Sequence, residues 1–172
     1  MSGKAGTNRT PLIIAGILLG IGLGGFVDGI VFHQILQWHH MLTSAGYPAT
    51  SLGNLEVNTL WDGLFHATTW VMTALGLALL WRAGRRPDVP WSTPTFVGTL
   101  AMGWGLFNLV EGIIDHHILG IHHVRTDVPN VLAWDLGFLL FGAILLGLGS
   151  GLVWKGREER ATAPVSPETL RP

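Results

Sequence analysis

Four long apolar stretches, at about residues 11–36, 59–81, 92–120 and 131–154, alternate with shorter polar segments. Each reaches the roughly 20 residues that a helix needs to cross a hydrocarbon core of about 30 Å. The runs are continuous rather than alternating, which favours helices over barrel strands. The first exceeds the apolar core of a signal peptide, about 7–15 residues, and no small-x-small cleavage site closes it, so it reads as a retained span. The predicted fold is all-α: an integral membrane four-helix bundle over residues 11–155, with a polar tail at 1–10 and a disordered tail at 156–172. Pro48 and Gly53 mark the loop between the first two spans as irregular.

Polar positions inside these stretches recur. The segment VDGIVFHQILQWHHM (27–41) aligns without a gap on VEGIIDHHILGIHHV (110–124), 83 positions further on. Asp28 falls on Glu111, His33 on His116, and the pair His39-His40 on His122-His123. A weaker match relates NTLWDGLF (58–65) to NVLAWDLGF (130–138). The spans therefore group as two helical hairpins in parallel repeat, about 11–82 and 92–155, with the pseudo-two-fold along the membrane normal. Gly16, Gly20 and Gly24 form a small-xxx-small ladder in the first span, of the kind that lets helix backbones approach closely.

Charge orients the bundle. Composition agrees with a membrane protein: 48% hydrophobic, 12% charged, mean hydropathy +0.43. Of the 10 Lys and Arg residues, only Arg125 lies in either of the loops 37–58 and 121–130. The positive-inside rule then puts both termini and the 82–91 loop in the cytoplasm. The expected location is the bacterial plasma membrane. All 8 histidines, with Asp28, Asp62, Glu111 and Asp135, then fall toward the outer side. Those acids lie 19 or 20 residues from the cytoplasmic anchors Arg9, Arg82, Trp91 and Lys155. At about 1.5 Å per residue, that places one acid per helix at about 28–30 Å from its anchor.

Helical spacing suggests which groups share a face. Asn58, Asp62, His66, Thr69 and Thr73 form one stripe on the second span. Glu111, Asp115 and His122 align on the third span, with His116 and His123 in a neighbouring row that His33 and His40 repeat in the first. Ionisable groups are costly in a bilayer and mark a functional site. The candidate metal ligands are His33, His66, His116, Asp62, Glu111 and Asp28, with His40, His117, His123, Asp115 and Asp135 behind them. By count, His39, His40, His122 and His123 lie beyond the hydrocarbon edge, where solvated histidines and a metal-delivery funnel explain them equally.

Three functions stay open. Imidazole with carboxylate suits Zn, Fe, Mn or Cu(II), whereas Cu(I) handling is disfavoured by few methionines and no cysteine. The Glu-x-x-His pair of di-iron bundles is missing; the spacings are Asp62-x3-His66 and Glu111-x4-His116. Alternatively His33 and His116 ligate one haem. A third possibility is a cofactor-free structural or proton-conducting bundle held by pairs such as His66 with Asp28 or Glu111. A redox enzyme would need a quinone or haem partner, since no nucleotide motif is present. Nothing points to nucleic acid, and neither a nucleophile–base triad nor a phosphate loop appears.

With FVDGIVFHQILQWHHM, NTLWDGLFH and LVEGIIDHHILGIHHVR in view, the chain resembles a bacterial family of predicted multi-pass membrane proteins known only as a domain of unknown function. The resemblance spans about residues 11–155. It implies the four-span architecture and carries no activity.

Overall fold

The computed structural model describes residues 7–161. It is all-helical over these residues. Helix α1 runs Thr10–Val27 and continues as a π-helix over Asp28–Ile35. Helix α2 is Leu52–Gly84, α3 is Thr93–Glu111 with a π-helical continuation Gly112–Ile118, and α4 is Val131–Ala161. All four are long and apolar enough to cross a membrane. The tail expected to be disordered splits: 156–161 continue α4, while 162–172, like 1–6, lie outside the described residues.

Local chemistry sets the helix starts. Ser51 Oγ accepts from Asn54 N at 3.3 Å and Ser92 Oγ accepts from Thr95 N at 3.3 Å, each satisfying an otherwise orphaned N–H of a first turn. Helix α2 thus begins well before the apolar run at 59, and Gly53, expected in an irregular loop, sits in its first turn. Residues 52–58 are too polar to be seen as part of a span, yet the cap starts the helix at Leu52.

Across the bundle the order is α2, α1, α3, α4, with α1 packed on both α2 and α3, and α3 on α4. Glycines decide this order. A Cβ on Gly16, Gly20 or Gly24 would strike Thr99, the Leu100 carbonyl or Trp104 of α3, so the predicted ladder is the α1–α3 seam. Gly22, Gly25 and Gly29 face α2 instead, against Thr73, Thr69 and His66. The polar stripe read on α2 therefore points at α1. On the α1–α3 seam Gly20 and Gly103, 83 positions apart, meet each other. The outward surface is apolar: Trp70 is 64% exposed and Leu148 64%, which suits lipid and would be an aggregation liability in water.

Candidate metal centre

The change from α to π winding explains the site. Asp28 and His33 are five residues apart, as are Glu111 and His116. On an α-helix such residues diverge by about 140° at 3.6 residues per turn. A π-helix bonds i to i+5, so residues at this spacing stack. His33 Nε2 lies 3.2 Å from Asp28 Oδ2, and His116 Nε2 lies 3.2 Å from Glu111 Oε1. Both segments end on i-to-i+5 bonds, Leu36 N to Val31 O at 2.8 Å and Leu119 N to Ile114 O at 2.7 Å. Next comes a left-handed residue in each case, Gln37 (φ 51°) and Gly120 (φ 58°), and the chain turns back over the bundle end.

A second pair of acids fixes the imidazoles from behind. Asp62 accepts from His33 Nδ1 (2.9 Å), His40 Nδ1 (2.6 Å) and the Met41 backbone N–H (2.9 Å). Asp135 does the same for His123 Nδ1 (2.7 Å) and the Val124 N–H (3.0 Å), with His116 Nδ1 at 3.4 Å. Because a carboxylate only accepts, Nδ1 of His33 carries its proton and Nε2 is turned toward Asp28. A carboxylate holding the far nitrogen of an imidazole is the usual outer support of a metal-binding histidine.

The first histidine of each HH pair closes the centre. His39 Nδ1 donates to the Val124 carbonyl at 2.9 Å, and His122 Nδ1 donates to the Met41 carbonyl at 3.2 Å. Each bond reaches into the opposite half of the chain. The rings stack at 4.8 Å with planes 4° apart. His33 meets His39 edge-on at 4.4 Å and His116 meets His122 at 4.9 Å. Burial, then the neighbouring His122 and His33, holds the His39 imidazole well below the usual histidine range, so it is neutral.

When each imidazole is neutral, these tautomers leave bare acceptors facing each other. His122 Nε2 is 2.8 Å from Glu111 Oε1 while its Nδ1 faces the Met41 carbonyl at 3.2 Å, so a neutral ring with its proton on Nδ1 turns a lone pair to the carboxylate. Asp28 Oδ2, His33 Nε2, His39 Nε2 and Glu111 Oε2 are buried without a hydrogen-bond partner. A lone pair against a carboxylate is repulsive unless a cation or an extra proton lies between them. Ligand atoms of His33, His39 and His122 lie within 4.8 Å of one another, and so do those of Glu111, His116 and His122. The second group is a two-histidine, one-carboxylate set of the type that holds Fe(II). Asp28, one methylene shorter than Glu111, makes no corresponding contact with His39, and the two halves are unequal for that reason.

The structure gathers some predicted residues and moves others. Asp28, His33, Glu111 and His116 line the centre, while Asp62, Asp135, His40 and His123 stand behind it as orienting groups. The four acids expected at one level are all buried, from 1% to 6% exposed. His66 is not paired with Asp28 or Glu111; its Nε2 packs on Gly29 without a hydrogen-bond partner. His117 is exposed and Asp115 half-buried beside the centre. His39 and His122, assigned by count to the surface, are 2% and 0% exposed. The α-helical register that put Glu111 and His122 in one row also fails, since the helix stops at Ile118 and His122 returns by the turn at Gly120. The signal available for both was the identical five-residue acid–histidine spacing in each copy.

The loops that carry these residues are tied down. Ser44 N donates to Ile121 O at 2.9 Å, joining the two loops. The Arg125 guanidinium lies 4.9 Å over Trp38 and 5.3 Å over Trp134, and bonds Asp127 at 2.7 Å.

These features belong to a polytopic membrane protein with a buried histidine–carboxylate cluster at one end of its bundle. Residues 15–156 match the family described as "Predicted membrane protein (DUF2243)", and the chain belongs to that family, whose function is unknown. No curated protein and no solved structure matches it.

Proposed function

We propose that this protein binds a transition-metal ion at the cluster formed by His33, His39, His122, Glu111 and His116, with Asp28 alongside, for metal handling or redox chemistry. The observation that carries this is the set of facing acceptors, above all His122 Nε2 and Glu111 Oε1 at 2.8 Å, with His122 Nδ1 turned to the Met41 carbonyl. A cation would join what otherwise repels. Imidazole and carboxylate together suit Zn, Fe, Mn or Cu(II), and the Glu111–His116–His122 set favours Fe(II) among them. Such an ion would act as a Lewis acid or a redox centre.

The two hairpins are parallel repeats about an axis passing between Gly20 and Gly103 and between His39 and His122. Paired contacts at a constant offset support this. The positive-inside charge pattern supports a centre on the outer side of the plasma membrane, with both termini cytoplasmic. A bis-histidine haem is a poorer fit. His39 and His122 already stack at 4.8 Å in the midst of the cluster, where a porphyrin would require a slot.

Elemental analysis of the full chain, purified in detergent without chelator, tests the reading. The expected result is a transition metal near one ion per chain, lost in His39→Ala with His122→Ala. A folded, colourless protein that neither retains nor takes up Zn, Fe, Mn or Cu would overturn it in favour of a proton-bearing polar bundle. A Soret band would favour haem.

A further inference from the structure

The centre has two flanking grooves, both mostly apolar, that differ at one corresponding position. One, about 350 Å³, lies between the π-helical end of α1 and helix α4; Phe32, Trp38, Trp134 and Phe138 line it. The other, about 290 Å³, lies between α2 and α3, with Phe65, Phe107, Glu111 and Asp115 in its wall. Asp115 stands 83 positions after Phe32, so the two grooves carry a carboxylate and a phenyl ring at corresponding places. Phe32 stacks on Trp38 at 5.2 Å and 7°, which closes its side with aromatic surface. On the other side, Asp115 is half-buried one turn beyond Glu111. Glu111 is 6% exposed and its Oε2 has no hydrogen-bond partner, yet it forms part of the groove wall.

Loops cover the top of the bundle. The two loops are joined over it by Ser44 with Ile121, His39 with Val124, His122 with Met41, and Thr126 Oγ1 with the Trp38 carbonyl at 3.3 Å. Charge deep in an apolar wall is costly and needs a reason. Carboxylates between low-dielectric walls focus their field and draw cations.

Resting on the metal reading above, we propose that the α2–α3 groove is the route by which a divalent cation reaches the centre. Asp115 is the first carboxylate the ion meets, and it hands the ion to Glu111. Asp115 does not ligate the ion at rest, which separates its role from that of the cluster residues. The arrangement is one-sided: Phe32 denies the other groove the same role.

Stopped-flow mixing of chelator-stripped full chain in detergent with Co(II), followed by visible absorption, tests this. Asp115→Asn should load about tenfold more slowly than wild type, with final stoichiometry unchanged. Asp115→Glu should load near the wild-type rate. Co(II) uptake by wild type with an unaltered rate in Asp115→Asn would overturn the route and leave the metal reading standing. Reduced stoichiometry in Asp115→Asn would make it a ligand and likewise overturn the route. No uptake by wild type would remove the metal reading, and this inference with it.

Discussion

His39 and His122 stack face to face at 4.8 Å, and each gives its Nδ1 proton to a backbone carbonyl of the opposite half of the chain. The two are not equivalent as ligands. His122 belongs to both groups of converging ligand atoms, whereas His39 belongs to one. His122→Ala should therefore abolish metal retention, and His39→Ala should weaken it while leaving the Glu111–His116–His122 set. Parallel Co(II) titrations of the two variants check the order; equal losses would count against the shared role of His122.

Asp62 and Asp135 act through the imidazoles they hold. Asp62→Asn keeps the shape but presents an amide nitrogen or an uncharged oxygen to His33 and His40. Metal affinity should fall about 10–100-fold, as is usual when an orienting carboxylate is lost. Circular dichroism should remain that of a four-helix protein. Asp135→Asn should behave alike, its effect passing through His116 and His123.

Proton competition should be visible in the same titration. Metal ligands bind as neutral imidazoles, so uptake releases protons and weakens as pH falls through the ordinary histidine range, about 6.5. His39 is already held neutral by burial, so its share of that loss should appear at lower pH than an ordinary histidine's. Co(II) affinity measured from pH 8 to pH 5 should decline throughout the acid half. Affinity that is flat across it would argue against histidine ligation.

Close helix contact at the seam gives a sharp contrast. A Cβ on Gly103 would meet the Ile17 carbonyl and come within 2.9 Å of Gly20 Cα, so Gly103→Ala should cost about 1–3 kcal/mol as the helices are pushed apart. Gly147 has nothing within 4 Å, and Gly147→Ala should be neutral or slightly stabilising. Reversible unfolding in mixed micelles would measure both.

Gln37 adopts a left-handed backbone, where a side chain costs about 1–2 kcal/mol. Gln37→Gly removes that strain and adds unfolded-state entropy of about 0.5–1 kcal/mol. A small net rise in melting temperature is expected. Gly120→Gln at the corresponding turn should lower it.

What the sequence made legible follows from the interactions involved. Four spans, the glycine ladder and the paired acid–histidine motif depend on local composition or a fixed spacing, and all were readable. The inward position of His39 and His122 was not, because counting depth at a constant rise assumes a straight α-helix. Here π-helical segments begin at Asp28 and Gly112, and Gln37 and Gly120 then send the chain back. His66 stands apart from the converging ligand atoms for another reason. Aligning Asp62 and Phe65 on Asp135 and Phe138 brings His66 onto Leu139, and both pack on a glycine of the neighbouring helix, Gly29 and Gly112. Its imidazole occupies the space that Leu139 occupies in the other half, with Nε2 buried and unpartnered.

The carbonyls of Val124 and Met41 bear on how the molecule must be made. His39 cannot take its final tautomer and pose until residue 124 has been synthesised and docked, and His122 waits in the same way on Met41. Neither hairpin inserted by itself owns a finished half of the cluster. Completion is thus postponed to the last act of assembly, and a chain halted after its second helix would display an unanchored imidazole in place of a binding centre.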